Sequence, residues 1–255
     1  MSTWSAQQYT LFESERTRPV RDLLAGVPGH EVQTAVDIGC GPGNSTEILA
    51  TWYPDATITG FDPDADMIAA AKKRLPALTF ETASVDTWNA SGPFDIILSN
   101  AVFQWVPDHE KLLPRLVNKL SSGGSLAIQI PDNMNEPAHI LMGSLAAQDR
   151  WAPKMAKTQR IARESIDWYY RHLKPLCTRV DVWRTVYYHP LAGGAKDVVE
   201  WFKGSSLRPL LAPLNAMERE DFLIEYTKQI SEAYTAMPDG SVLLPFPRLF
   251  IVATR

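Results

Sequence analysis

Apolar residues in the first half of this chain fall into short runs, then into helical spacing, and the two kinds alternate. Ala35-Val36-Asp37-Ile38 reads as a short strand, a glycine turn follows, and a helix is predicted over about Asn44 to Trp52. Thr57 to Phe61 reads as a second strand. Asp64 to Arg74 is predicted helical, because Met67, Ile68, Ala71 and Leu75 share a face and Pro76 follows its end. Leu78-Thr79-Phe80 is a third strand. Phe94 to Leu98 is a fourth, continuous enough to be buried on both faces. A helix is expected from Asp108 to Leu120, stopped by Gly123-Gly124, and then a fifth strand over Leu126 to Ile130, ended by Pro131. Strand and helix alternating in this way predict an α/β fold, a Rossmann-like, doubly wound and mostly parallel sheet.

After Pro131 the rhythm changes. Residues 137–176 read as mainly helical, Val180 to Tyr188 as a strand, and 195–236 as helix broken near Arg208-Pro209 and Pro213. Phe246 to Thr254 reads as a last strand, and Pro245 and Pro247 argue for a strand edge or entry. The expectation is one domain over 1–255. Residues 31–131 are its cofactor-binding core, and 132–255 add cap helices and final strands as insertions.

Composition narrows the function. A chain of 255 residues, 45% hydrophobic and 21% charged, can bury a sizeable core. Its net charge of −4 lacks the basic field of a general nucleic-acid binder, so an anionic ligand would need a local cationic pocket. Two cysteines make no disulfide framework. No signal-like run opens the chain and none approaches eighteen apolar residues, so no membrane span is expected and the cytoplasm is the expected compartment.

Val36 to Asn44 is the strongest chemical signal: a strand, a turn with three glycines, and a helix start. Glycine lets a ligand approach the backbone, and a helix start offers unpaired N–H groups. Asp62 ends the next strand about twenty residues on, where its carboxylate would accept both hydroxyl protons of a ribose. A dinucleotide loop wants G-x-G-x-x-G, with a pyrophosphate on the helix end. Here the last position is Asn44, and Pro42 stiffens the turn. Asp37, just before the glycines, would repel a pyrophosphate and attract the ammonium of an amino-acid moiety. These residues favour S-adenosylmethionine, which carries an ammonium, a ribose and an adenine but no phosphate. A dinucleotide, or a turn that only packs a helix on a strand, is the lesser reading.

Asp37-Ile38-Gly39-Cys40-Gly41-Pro42-Gly43 resembles the first motif of the class I S-adenosylmethionine-dependent methyltransferases. Further segments are similar to the trans-aconitate 2-methyltransferase family. They are Trp4, Tyr9, Phe12, Arg16, Arg18 and Pro19, then Asn100 through Trp105, Pro131-Asp132-Asn133, Trp183-Arg184-Thr185, and Phe246 through Phe250. The resemblance implies the class I methyltransferase fold and a cofactor contacted by Gly39, Gly41, Gly43 and Asp62, with Met67 packed on adenine. The family's turn after the third strand usually supplies an acid to the adenine amino group. Here Ser84 stands there and Asp86 two residues later, so the Ser84 hydroxyl, the Asp86 carboxylate and the backbone all stay open for that contact. Trp88 would cover the ring or be a core tryptophan under a loop. Asn100 matches the position facing the reacting methyl group, and Phe103 and Trp105 either wall the site or are plain core. Residues 1–30 would fold over the cofactor as lid helices, with Tyr9, Phe12 and Arg16 on one face and Arg16 meeting the methionine carboxylate.

The resemblance also implies a carboxylate acceptor, a small polycarboxylic acid and foremost trans-aconitate. A carboxyl group with a pKa of about 4 is already ionised at neutral pH, so no residue is required as a general base. A guanidinium on the attacking oxygens would blunt them. Arginines should instead grip the carboxylates that do not react. Charge complementarity makes Arg18, Arg184, Arg208 and Arg248 the candidates, with Tyr187 as a hydrogen-bond donor. A carrier-bound acyl carboxylate and a cofactor-binding protein without turnover are the alternatives. Asp62-Pro63-Asp64-Ala65-Asp66 starts like a calcium loop, but that pattern needs glycine at position 67 and glutamate at 73, where Met67 and Lys73 stand. No histidine pair has metal spacing, so no metal is expected. His109 reads as a polar residue at a helix start and Cys40 as a buried small one.

Overall fold

The structure is a computed structural model that describes residues 13–155 and 163–255. Seven strands form one sheet in the order β3-β2-β1-β4-β5-β7-β6. They are β1 (Thr34–Ile38), β2 (Thr57–Asp62), β3 (Thr79–Thr82), β4 (Phe94–Asn100), β5 (Leu120–Pro131), β6 (Arg179–Leu191) and β7 (Val242–Thr254). β1 pairs in parallel with β2 and β4, β2 with β3, and β4 with β5. β7 runs antiparallel to β5, since Gly123 donates to the Arg255 carbonyl, Arg255 to that of Gly124, and Asp132 to that of Pro247. The winding reverses between β1 and β4, the switch point at which α/β sheets open a crevice at their carboxyl ends.

The helices are α1 (Glu13–Ala25), α2 (Asn44–Trp52), α3 (Ala65–Arg74), α4 (His109–Val117), α5 (Pro137–Ala146), α6 (Ala152–Met155), α7 (Ile166–Leu173), α8 (Ala195–Lys203), α9 (Arg208–Leu211) and α10 (Ala216–Ala233). Local chemistry starts several of them. The Asp64 side chain accepts from the Asp66 and Met67 amides ahead of α3, and Asn215 and Glu218 close a capping box on α10.

The described residues divide into two compact units. One comprises 13–131, 163–185 and Leu249–Arg255; the other comprises 132–155 and Val186–Arg248. In the first, Val36, Ile38, Ile97, Leu126, Ile128, Leu249 and Ile251 pack with Leu113 and Leu116 of α4 in one buried cluster. β4 is buried on both faces over Ile96–Ser99 and β5 over Gly124–Ile130, which explains why these two strands read as near-continuous apolar runs. In the second, α10 packs on α5 and α8. There the Tyr226 hydroxyl donates to the Ala138 carbonyl at 2.9 Å, and the Trp151 and Phe222 rings meet edge-on at 5.3 Å.

Two boundary expectations are corrected. The helix expected to reach Leu120 ends at Val117, and Gly123-Gly124 lie inside β5 rather than stopping a helix. Gly123 takes a φ of 80° and the β4–β5 register slips across this pair, so the glycines make a bulge in a strand. Pro245 and Pro247 do not mark a sheet edge, because β7 lies between β5 and β6. Pro247 joins the ladder only through its carbonyl, which accepts from Asp132; without an N–H it cannot return the second bond of that pair.

Candidate active site

A cavity of about 290 Å³ opens in the first unit, at the carboxyl ends of β1, β2 and β4. Its wall includes Gly39, Gly41, Asp62, Met67, Ser84, Asp86 and Asn100 of the expected residues. Gly39 leaves β1 with a φ of 65°, and a Cβ there would sit 2.4 Å from Val102 Cγ2, so only glycine fits. A Cβ on Gly41 would meet nothing within 4 Å, which leaves this stretch of backbone open.

Asp62 ends β2 beside that loop. One of its carboxylate oxygens accepts from the Gly41 amide at 3.1 Å and the other from the Asp64 amide at 2.9 Å. A carboxylate has about four lone-pair sites, so each oxygen, held by one backbone bond, retains capacity for a diol. Burial pushes the Asp62 carboxyl above its ordinary range, and the two backbone donors oppose that.

Asn100 ends β4, and its buried Oδ1 has no hydrogen-bond partner. The next residue, Ala101, holds a φ of 59°, a conformation that costs energy for a residue with a side chain. From there Val102, Trp105, Val106 and Pro107 complete the wall. Trp105 is 43% exposed, so it walls the cavity, whereas Phe103 is core. Ser84 closes a turn, its hydroxyl 3.0 Å from that of Thr87. A smaller space of about 20 Å³ behind the loop is lined by Thr17 and Val20 of α1 together with Asn44, Ser45 and Asn100.

Several expected contacts are corrected. Asp37 does not line the cavity. It is fully buried in β1, and one carboxylate oxygen accepts from the Ser45 hydroxyl at 2.7 Å and the Thr46 hydroxyl at 2.6 Å. It therefore ties the start of α2 to the strand, and burial pushes its carboxyl up to about 7 against those two hydrogen bonds. Gly43 is not on the cavity wall either, and a Cβ there would lie 3.4 Å from Ala71 Cα and 3.5 Å from Leu75 Cδ1. Trp88 stacks on Phe61 at 5.0 Å within the core and covers no ligand space. Burial raises the Cys40 thiol well above its usual range, consistent with a packed rather than a reactive cysteine. Tyr9 lies outside the described residues, as does the Arg16 side chain.

The arginines divide between the units. Arg18 on α1 and Arg184 on β6 are exposed residues of the first unit. Arg208 opens α9 in the second. Arg248, in the second unit, is 3% exposed, with its guanidinium 4.5 Å from the Phe246 ring centroid and 5.9 Å from that of Tyr187. Tyr187 is itself buried and stacked with His189, so its ring packs. Sequence reasoning missed Pro63, Val85, Val102, Val106 and Pro107 on the cavity wall. They are apolar, and only Pro63, directly after the end of β2, gave a local cue.

These residues fit S-adenosylmethionine. The described wall carries two carboxylates and an orphaned amide oxygen, and no lysine or arginine. Such a lining lacks the counter-charge a pyrophosphate needs and suits a cationic nucleoside.

Known proteins agree. A family described as a methyltransferase domain matches residues 35–124. A trans-aconitate 2-methyltransferase of Rhodopseudomonas palustris (strain BisB5) is 48% identical over 261 residues, covering 100% of both chains. Those of Afipia carboxidovorans and Rhizobium meliloti are each 49% identical, covering 100% and 99% of both chains respectively. Among solved structures, the YcgJ protein of Bacillus subtilis superposes with a TM-score of 0.60 at 11% identity, covering 93% of this chain and 98% of that one. A putative methyltransferase of Bacillus halodurans gives 0.59 at 9% identity, with the same coverage. At that distance the two structures speak for the fold alone. With its loop, its cavity and relatives that match from end to end, the chain belongs to the trans-aconitate 2-methyltransferase family of class I S-adenosylmethionine-dependent methyltransferases.

Proposed function

We propose that this protein transfers the methyl group of S-adenosylmethionine to a carboxylate of trans-aconitate and releases a methyl ester. The observation that carries this is the 48% identity, end to end, with a relative named for that reaction. The cavity supports it, because its wall suits a cation and a ribose. When bound, the cofactor supplies an electrophilic methyl group on a sulfonium. Asp62 would hold the ribose diol, Met67 would pack on the adenine, and Ser84 or Asp86 would take its amino group. Asn100 would accept from the donor's amino-acid end, for whose carboxylate Arg16 is the candidate, with Tyr9 as a further candidate contact.

The acceptor arrives ionised, so the chain needs to align it and exclude water rather than deprotonate it. Val102, Trp105 and Val106 supply an apolar wall for that purpose, and an anion reacting with a cation disperses charge better there than in bulk water. Arg18, Arg184, Arg208 and Arg248 are the candidates for gripping the carboxylates that do not react. Among the described residues no helix is long and apolar enough to cross a membrane. The two cysteines are free and buried, which suits a reducing cytoplasm as the site of reaction.

The test is direct. Purified protein with methyl-labelled cofactor and trans-aconitate should give a labelled ester separable by chromatography. Label appearing only on an acyl-carrier protein, or cofactor binding without turnover across a panel of di- and tricarboxylic acids, would overturn the proposal.

A further inference from the structure

The cavity wall at Val102–Pro107 is a short 3-10 turn, Phe103–Trp105, between the end of β4 and the start of α4. Local bonds hold it: Trp105 donates to the Val102 carbonyl at 2.9 Å, Val106 to the Phe103 carbonyl at 3.2 Å, and the Gln104 side chain to the Ala101 carbonyl at 2.7 Å. Turns of this kind are weak in isolation. Nor does the next helix brace it with a cap, because Asp108, at the N-cap of α4, makes no side-chain capping bond and holds a φ of 55°.

The brace comes from His109. Its buried ring lies 4.9 Å from that of Phe103, and Nε2 is 2.9 Å from the Phe103 carbonyl oxygen. On its other side Nδ1 is 2.8 Å from the hydroxyl of Tyr169, a residue of α7 with no exposed surface. A carbonyl only accepts, so Nε2 must carry the proton. Nδ1 is then the acceptor, and the Tyr169 hydroxyl donates to it. One neutral tautomer satisfies all three groups. Burial also holds the imidazole below its ordinary pKa, which keeps it neutral at pH 7.

We infer that His109 and Tyr169 are positioning residues, a buried clamp that holds the Phe103–Trp105 turn where Trp105 and its neighbours wall the acceptor side of the cavity. This assignment rests on the function proposed above. Gly39, Asp62, Met67 and Ser84 come from the glycine loop, β2, α3 and the turn after β3, where the cofactor's nucleoside is expected. The turn after β4 is the wall left over for the acceptor. Loosening the clamp should therefore misalign the acceptor more than it releases the cofactor.

The experiment uses the full chain, with His109→Phe, His109→Gln and Tyr169→Phe. Phenylalanine fills the ring space and removes both bonds, whereas the glutamine amide can still donate to the Phe103 carbonyl. His109→Phe should raise the acceptor KM roughly tenfold, the scale of one lost buried hydrogen bond. Its Kd for S-adenosylhomocysteine by calorimetry should stay nearly unchanged, and His109→Gln should recover most of the loss. Long-range imidazole 15N–1H spectra should show wild-type His109 as the neutral Nε2–H tautomer, with the Nδ1 resonance shifted in Tyr169→Phe. An unchanged KM in folded His109→Phe, an equal loss in KM and cofactor Kd, or an Nδ1–H tautomer would each overturn the clamp. If His109→Phe does not fold, Tyr169→Phe, which lacks a single oxygen, decides by the same readouts. The kinetic arm uses whichever carboxylic acid the wild-type enzyme esterifies. A failure of trans-aconitate as acceptor thus touches only the proposed function, while the spectra test the clamp independently.

Discussion

At the scale of single residues, two carboxylates twenty-five positions apart do different work. Asp62 keeps lone pairs toward the cavity and two backbone donors at its back. Asp62→Ala should weaken binding of S-adenosylhomocysteine by about 1–3 kcal/mol, the cost of leaving partners unpaired. Asp62→Asn, which retains one accepting oxygen, should lose less. Titration calorimetry checks both, and unchanged affinity in the alanine variant would remove the ribose role. Asp37 holds Ser45 and Thr46, and its effect is on stability. Its carboxyl titrates near its ordinary 3.8 when unfolded and at about 7 when folded. Between those values the native state binds a proton that the unfolded chain has released. Stability should therefore fall as pH rises through that window, on the order of 1 kcal/mol per unit, and level off above it. Urea unfolding from pH 5 to 8 should show this slope in the wild type and a flatter one in Asp37→Asn. Parallel profiles would mean that Asp37 ionises normally in the fold.

At the scale of elements, the first three helices among the described residues meet at one side chain. Arg74 of α3 bonds Glu47 of α2 through Nε at 3.0 Å and also reaches Glu13 of α1. The bond to Glu13 contributes most to raising the guanidinium's pKa. These groups are partly exposed, so water and salt discount the network. Arg74→Ala should cost about 1 kcal/mol at most, and the difference should shrink in ~1 M salt. Chemical unfolding at low and high salt measures it. The same scale shows where periodicity misleads. Leu116, Val117 and Leu120 look like one apolar face of one helix, yet Leu120 pairs with Phe94 across two strands. A short apolar run serves either element equally well, and only the neighbour to which it bonds decides between them.

At the scale of the whole molecule, the acceptor question turns on the arginines. Replacing Arg248 by Lys keeps the charge and loses the guanidinium that lies 4.5 Å from the Phe246 ring centroid. If Arg248 grips the acceptor, the KM for trans-aconitate should rise several-fold while the Kd for S-adenosylhomocysteine stays put, as steady-state kinetics and calorimetry would show. Wild-type values for both would exclude it from the acceptor site.

The amino-acid sequence by itself determined the alternation of β1 through β5, the glycine loop between β1 and α2, and Asp62 at the end of β2. Each depends on local backbone rules: period, turn chemistry, and the side chain that ends a strand. The tertiary structure alone decided that Asp37 faces Ser45 and Thr46, that Trp88 stacks on Phe61, that Gly39 is pressed against Val102, and that His109 reaches Tyr169 sixty residues away. Those contacts join segments far apart in the chain. Which partner a buried polar group finds, and whether a ring covers a ligand or fills a core, depends on the packing of distant residues, about which local spacing carries no information.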